Sequence, residues 1–388
     1  MRAGETLNLI RSTGGMTRNE LMARTGLSRS TVAQRVEALL THGLVRELSG
    51  GQSTGGRPPT RITFNPAAAL ILAADLGATH SRLALTDLSG YPLQEARADI
   101  LISRGPEHVL TWVADTFEAM LHAAGHAARD VGAIGMGVPG PVEFASGRPV
   151  SPPIMPGWDG FAIPERLQQR FTVPVLVDND VNIMALGEHL ESWRDTPDMV
   201  FVKVGTGIGM GIITRGDIHR GAQGAAGDIG HVRLTGHDDV VCECGNVGCL
   251  EAVAGGRALV RALKALGRDV ETSRDVVGLV RAHDIDAVRL VRQAGRDIGE
   301  VLAGLVNALN PAVIVVGGDI ADAHEQLFAG IREVVYQRST ALATRRLQIV
   351  PSELDDRAGV IGAVGMATQH LLSPEQVEAW LAREPLVA

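Results

Sequence analysis

The chain has 388 residues, 45% hydrophobic and 21% charged, which excludes a disordered polymer and predicts two or three domains with sizeable cores. The longest near-apolar run, Ala67 to Ala74, is far short of a membrane span, and the N-terminus carries no signal-peptide core. A cytoplasmic protein with no membrane partner is expected. The net charge of −8 would by itself argue against nucleic-acid binding, but nine arginines against four acids make residues 1–64 +5, so the remainder carries −13. A small basic head on a large acidic body is the asymmetry of a DNA-binding module on a solvated domain.

Residues 1–64 read as three short helices and a hairpin. Leu7 and Ile10 share a face of the first helix, which Gly14-Gly15 ends. Thr17 and Glu20 form a capping box that starts the second, and Gly26 closes it. Ser28 can cap the third, whose Val32, Val36, Leu39 and Leu40 fall on one face. The turn Thr25-Gly26-Leu27 suits a helix-turn-helix.

The opposite face of the third helix offers Arg29, Ser30, Thr31, Gln34 and Arg35 to DNA. Arg and Gln reach guanine and adenine edges bidentately, while Ser and Thr suit phosphates or bases. Extended stretches at 44–48 and 60–64 flank a Gly-rich tip, Ser49 to Arg57, that reads as a wing with Arg57 for a minor groove. The bland alternative is a packing module with solvated arginines, but capping, periodicity, charge and wing agree on DNA. A head of this size usually serves a dimer reading two half-sites.

Beyond Asn65-Pro66 the composition turns to apolar strands punctuated by glycine. Residues 73–85 and 201–213 each read as strand, Gly/Thr turn, strand. Such turns let backbone N–H groups and a Thr hydroxyl approach phosphate oxygens, so the pair could grip a nucleotide from two sides. Asp75 ends the first of these strands, placed to act on Mg²⁺ directly or through water. A third turn, Gly317-Gly318, could pass close to a nucleoside. Val175-Leu176-Val177 delivers Asp178-Asn179-Asp180-Val181-Asn182 at a strand end, where a carboxylate could take a proton from an attacking hydroxyl. Those residues could equally cap a helix starting near Val181, and spacing leaves the two readings level.

All three cysteines fall in Cys242-Glu-Cys244-Gly-Asn-Val-Gly-Cys249, with His231 upstream. Three thiolates and an imidazole complete a closed tetrahedral zinc shell, a structural rather than catalytic site. Residues 297–309 carry a helical stripe of Ile298, Val301, Leu302, Leu305, Val306 and Leu309, which reads as core.

These residues resemble the ROK family of repressors, open reading frames and kinases over essentially the whole chain. The motifs are Asp-x-Gly-x-Thr at 75–79, Gly-x-Gly-x-Pro-Gly at 135–140, Asn-Asp at 179–180 and Gly-Thr-Gly-x-Gly at 205–209. Gly-x-Ile-Gly-His at 227–231 and Cys-x-Cys-Gly-x-x-Gly-Cys-x-Glu at 242–251 complete the set. Thr-Gly-Leu-Ser at 25–28 and Gly-Gly-Arg-Pro at 55–58 resemble the winged helix of the family's regulators.

The resemblance implies an α/β, actin-like, ribonuclease-H-type ATPase body of two lobes behind the head. The domains would be 1–64, then 67–182 completed by a C-terminal helix 358–388, then 183–357, with a hinge near 181–186. It implies Asp180 as general base if the body is a kinase. Asn179, Asp180, Asp228, His231, Glu251 and Gly137 would lie on the sugar, with His231 also on the zinc. Asp75, Gly77, Thr79, Gly205, Thr206, Gly207, Gly317 and Gly318 would lie on the nucleotide. Two departures fall on the sugar side: Asp228 stands where the kinases usually have Glu, and Ile154 where they often have Asn.

The expected function is a sugar-responsive transcriptional regulator, a repressor type, binding a palindromic operator with a monosaccharide in the cleft and self-assembled as dimer or tetramer. The alternative is an ATP-dependent monosaccharide kinase, in which case ATP and Mg²⁺ join zinc as cofactors.

Overall fold

The computed structural model describes residues 2–48, 60–323 and 325–383. In the head, α1 (Ala3–Ser12), α2 (Arg18–Thr25) and α3 (Arg29–Thr41) bury Leu7, Ile10, Leu21, Val32, Val36 and Leu39 against one another. The Thr17 hydroxyl accepts the Glu20 N–H at 3.2 Å while the Glu20 carboxylate accepts the Thr17 N–H at 2.7 Å, which fixes the start of α2. Gly26 ends α2 in the left-handed region at φ 68°, and Ser28 caps α3. Strands β2 (Val45–Leu48) and β3 (Arg61–Phe64) pair antiparallel, and a two-residue strand β1 (Met16–Thr17) adds to the far edge of β3. The wing tip Ser49 to Arg57 lies outside the described residues.

The body contains the same strand arrangement twice. In the first sheet β4 (Leu70–Leu76), β5 (Ser81–Asp87) and β6 (Pro92–Ala98) form an antiparallel meander. After α4 (Pro106–Ala123), β7 (Val131–Val138) joins β4 in parallel. A two-stranded excursion, β8 (Val142–Glu143) with β9 (Arg148–Pro149), and α5 (Ile163–Gln168) lead to β10 (Val175–Asn179), parallel to β7. Helix α6 (Asp180–Glu191) follows directly.

The second sheet repeats this with the meander β11 (Met199–Val204), β12 (Ile208–Thr214) and β13 (Asp217–Ile218). After α7 (Leu250–Ala254), α8 (Gly256–Ala265), α9 (Ser273–Arg281) and α10 (Ile285–Leu309), β14 (Val313–Gly317) joins β11 in parallel. Helices α11 (Glu325–Arg338) and α12 (Ala341–Thr344) precede β15 (Gln348–Pro351), parallel to β14, and α13 (Ala358–Leu371) follows it as α6 follows β10. Parallel strands with crossover helices need both faces covered, which the continuous apolar runs of β4, β7 and β14 satisfy. The fold is the actin-like α/β body with a winged helix-turn-helix ahead of it.

Helices α6 and α13 pack on each other between the sheets, α6 mainly against β11 and β12, α13 against β4 and β7. Residues 181–186, where a hinge is expected, are the buried first turns of α6. They form no loop, because Asn179 caps a continuous helix there. In α10 the stripe buries Ile298, Leu302 and Val306 and leaves Val301 and Leu305 half-buried, while Leu309 at the helix end is exposed.

The C-terminal region also differs from the single helix expected over 358–388. Helix α13 stops at Leu371, and Ser373 caps a separate helix, α14 (Pro374–Leu381), with Pro374 in its first turn. Proline has no N–H to continue α13 and suits a first helical turn. Helix α14 packs against α1 of the head, and fully buried Val377 joins the core that head and body share. Glu378 Oε1 accepts the Ala3 N–H at 2.7 Å and the Gly4 N–H at 3.4 Å, adding from the body side to the local cap in which Glu5 accepts the Arg2 N–H at 2.6 Å. Among the described residues no helix is long and apolar enough to cross a membrane.

Candidate functional site

The ends of β4, β10, β11 and β14 converge on a cleft of about 640 Å³ between the two sheets. Strand ends of parallel sheets leave such crevices because the chain turns away from them to reach a helix. Asp75, Gly77 and Thr79 line it from the first hairpin, Gly205, Thr206 and Gly207 from the second, and Gly317 and Gly318 from the end of β14. Asn179, Asp180, Asp228, His231 and Glu251 line it as well. Residues up to 243 positions apart in sequence thus share one cavity.

The two readings of residues 178–182 divide between neighbours. Asn179 is the N-cap of α6, its side-chain oxygen accepting the Val181 N–H at 2.9 Å while its amide donates to the Gly140 carbonyl at 3.1 Å. Asp180 is the first helical residue, 4% exposed, and accepts from Lys203 Nζ at 2.5 Å. Lys203 was not singled out from the sequence. Burial works against its charge, but the Asp180 and Asp75 carboxylates outweigh that and hold the ammonium above its ordinary range. A signal was available: the chain has two lysines against 34 arginines, and one of them interrupts an apolar strand just before a glycine turn.

Asp75 rests on the N-terminal turn of α13, where a Cβ at Gly359 would fall 2.0 Å from its carboxylate. Burial pushes the Asp75 carboxyl up to about 7, with Lys203 pulling the other way. Glu251 Oε2 accepts the Ile208 N–H at 3.1 Å, and burial raises its pKa. The same oxygen lies 1.9 Å from where a Cβ at Gly207 would stand, so a larger residue there would displace the Glu251 carboxylate from the Ile208 N–H.

Gly137 does not line the cleft. It is buried beneath Ile183 of α6, which a Cβ there would overlap at 2.1 Å, and Gly140 lines the cleft instead. Ile154 contributes an apolar wall where a polar contact was expected to be missing. A second ion pair also escaped the sequence reading: Arg220 donates to buried Asp178 at 2.7 Å and stacks 3.7 Å over Phe144. Asn182 completes the Asp178 shell at 2.8 Å.

His231, Cys242, Cys244 and Cys249 offer ligand atoms that all lie within 4.8 Å of one another. Cys242 Sγ is 3.6 Å from His231 Nδ1, and Cys244 Sγ is 3.7 Å from Cys249 Sγ. A tetrahedron with Zn–S of about 2.3 Å and Zn–N of about 2.0–2.1 Å has edges of about 3.8 Å between sulfurs and 3.6 Å between sulfur and nitrogen. The four residues therefore fit a metal such as zinc, and the sulfur spacing is too long for a disulfide. The other ring nitrogen of His231, Nε2, lies 4.0 Å from Asp228 Oδ1, and both residues line the cleft. One imidazole spans both sites.

In the head, Arg29, Ser30 and Gln34 are exposed on α3, while Thr31 and Arg35 are half-buried. The Ser30 and Thr31 hydroxyls lie 2.9 and 2.8 Å from the Ser28 hydroxyl, so they partly belong to the cap. Arg35 keeps one guanidinium nitrogen buried with no partner among the described residues.

Residues 71–370 match the ROK family, and residues 4–46 match the winged helix-turn-helix DNA-binding family. The chain is 33% identical over 372 residues to a putative xylose repressor of Caldicellulosiruptor sp., covering 92% of this chain and 93% of that protein. It superposes with a TM-score of 0.84 on a ROK family transcriptional regulator described as a homologue of the E. coli MLC protein, at 26% identity and 98% of each chain. A ROK hexokinase from Thermus thermophilus matches with a TM-score of 0.65 and 33% identity, over 78% of this chain and 99% of that one.

Proposed function

The chain belongs to the ROK family, and we propose that it is a sugar-responsive transcription regulator whose head binds a palindromic operator while the cleft holds a monosaccharide. The observation that carries this reading is a winged head packed onto the body through α14, with Arg29 and Gln34 facing outward. The matched hexokinase covers 78% of this chain, whereas the matched regulator covers 98%. Residues 1–64 form the DNA-binding unit, 67–182 with α13 one lobe, and 183–357 the other. Two half-sites call for at least a dimer.

In this reading Asn179, Asp180, Asp228, His231 and Glu251 hold sugar hydroxyls. Zinc on His231, Cys242, Cys244 and Cys249 fixes the imidazole ring and orders the loop, acting structurally. A ligand shifts the operator equilibrium only if it binds the two states differently. Because α6 starts at Asp180 and packs along α13, sugar contacts at its N-terminus could move α13 and, through α14, the head.

The test selects operator DNA with the purified chain and follows its anisotropy during titration with pentoses, hexoses and N-acetylhexosamines. One sugar should change operator affinity at least tenfold. Affinity indifferent to the whole panel would remove the reading. Kinase activity is the second reading, supported by Asp75, Asp180 and the glycine turns sharing the cleft. Sugar-dependent ADP release that disappears in Asp180→Asn would establish it.

A further inference from the structure

Phosphoryl transfer to a sugar hydroxyl makes two demands on a cleft of this kind. A divalent cation must neutralise the phosphates, held near a carboxylate, and a second carboxylate must be free to accept the hydroxyl proton. Asp75 and Asp180 occupy positions suited to those tasks, one at the end of β4 and the other at the start of α6. Here a third charged group stands with them. Lys203, from the end of β11, donates to Asp180 at 2.5 Å and lies within the field of Asp75.

That arrangement works against both demands. A short charge-assisted bond already occupies one Asp180 oxygen, which leaves that oxygen less available to a sugar hydroxyl. An ammonium held on Asp180 also supplies the positive charge that Mg²⁺ would otherwise bring, and repels a cation brought to the same place. Among the described residues no other cation pairs with Asp180, so Lys203 alone decides whether this carboxylate is free. The lysine stem leaves β11 on the face opposite to buried Val202 and Val204, and its side chain is 26% exposed, so it is the bond to Asp180 that holds the ammonium in place.

We propose that Lys203 is a built-in counter-ion on Asp180 that takes the place of a divalent cation in the cleft, so that the cleft binds its sugar without Mg²⁺ and without phosphorylating it. Lys203 is a positioning residue, acting through the two carboxylates. The inference rests on the reading of the cleft as a sugar site and deepens it, since it states why the body senses rather than turns over.

The experiment compares the zinc-loaded wild-type chain, Lys203→Met and Lys203→Met/Asp180→Asn. Mn²⁺ binding is read by electron paramagnetic resonance with and without ATP, and ADP release is read across the sugar panel. Wild type should bind Mn²⁺ no better than millimolar and release no ADP. Lys203→Met should bind Mn²⁺ at least tenfold more tightly, and the double variant should lose that gain. Binding by the wild type as tight as by Lys203→Met would overturn the proposal, as would a folded Lys203→Met that gains nothing. Should the variants fail to fold, wild-type Mn²⁺ binding tighter than millimolar overturns the proposal by itself. Sugar relief of operator binding is measured in parallel in Mg²⁺-free buffer. Relief that requires Mg²⁺ would sink the counter-ion while leaving the sensor reading intact, and no relief with any sugar would sink the sensor reading while Mn²⁺ exclusion stood on its own.

Discussion

The head and the cleft are held together by different kinds of information. In the head, each helix carries its own start and stop: the Thr17–Glu20 box, Gly26 in the left-handed region, and Ser28 on α3. In the cleft, no segment is complete by itself. Asp75 needs Gly359, Gly207 needs Glu251, and Asp180 needs Lys203, partners from 23 to 284 positions away. The head is locally encoded and presents its surface outward, while the cleft is assembled by topology and holds Asp178 and Asp180 already paired with cations. Readout of DNA therefore tolerates single changes in additive steps, whereas the cleft should fail as a unit.

The largest break in that comparison should come at the metal cluster, where cleft and loop share His231. Cys249→Ser should lower bound zinc from about one per chain to a small fraction, because a closed shell loses a thiolate that a hydroxyl does not replace. Sugar response should drop at least tenfold while operator affinity without sugar is retained, since the head takes nothing from the loop. Zinc is counted by metal analysis, and full occupancy in the variant would refute the assignment. Next in size are the readers on α3. Arg29→Ala and Gln34→Ala should each weaken operator binding by about 1–3 kcal/mol, roughly 5–150-fold, and leave sugar binding unaltered. Equal affinities for wild type and both variants would mean that another surface meets DNA.

The contrast also explains what could be read in advance. Caps and the 3.6-residue period located the head, because capping boxes and periodicity are short-range signals. The paired hairpins at 73–85 and 201–213 anticipated the repeated sheets, since strand–turn–strand is likewise local. The Cys cluster was legible because metal spacing is written in sequence, and the observed 3.6 and 3.7 Å separations suit it. What stayed hidden depended on register. Gly137 alternates away from the cleft and under Ile183, while Gly140, three residues on, reaches it. Lys203 gave no motif, and Arg220 pairs with Asp178 across 42 residues. The Pro374 break was visible in the sequence but was passed over in expecting one C-terminal helix.

Asp75 sharpens the comparison from the cleft side, because its burial carries a stability cost that the head has no counterpart for. Its folded pKa, near 7, lies above the unfolded carboxylate value of about 3.9. The folded chain therefore holds a proton across that window which the unfolded chain has released. Its contribution to stability falls as pH rises from about 4 to 7 and is fully unfavourable above that. Asp75→Asn removes the titration, so it should stabilise the chain by about 1–2 kcal/mol at pH 8, shrinking toward zero near pH 4. Thermal melts at the two pH values measure this directly. A gain that is constant with pH would show that Asp75 is not the group responsible.

The smallest expected effect probes the joint between the two regions. Glu378 on α14 caps α1 through the Ala3 and Gly4 N–H groups, and Gly4 sits so close to Pro374 that a Cβ would fall 2.6 Å from its Cα. Losing a cap of this kind costs about 0.5–2 kcal/mol. Glu378→Ala should therefore change neither sugar affinity nor intrinsic operator affinity much, because neither surface is touched. It should loosen α14, which packs on both α13 and α1, and with it the tenfold sugar effect on operator affinity should shrink toward two- to threefold. Anisotropy titrations with and without sugar separate the two quantities. An undiminished sugar effect would place the coupling in the Asn65 to Ala69 connection instead, where Asn65 holds the Gly43 carbonyl at 2.7 Å and the head enters the first sheet.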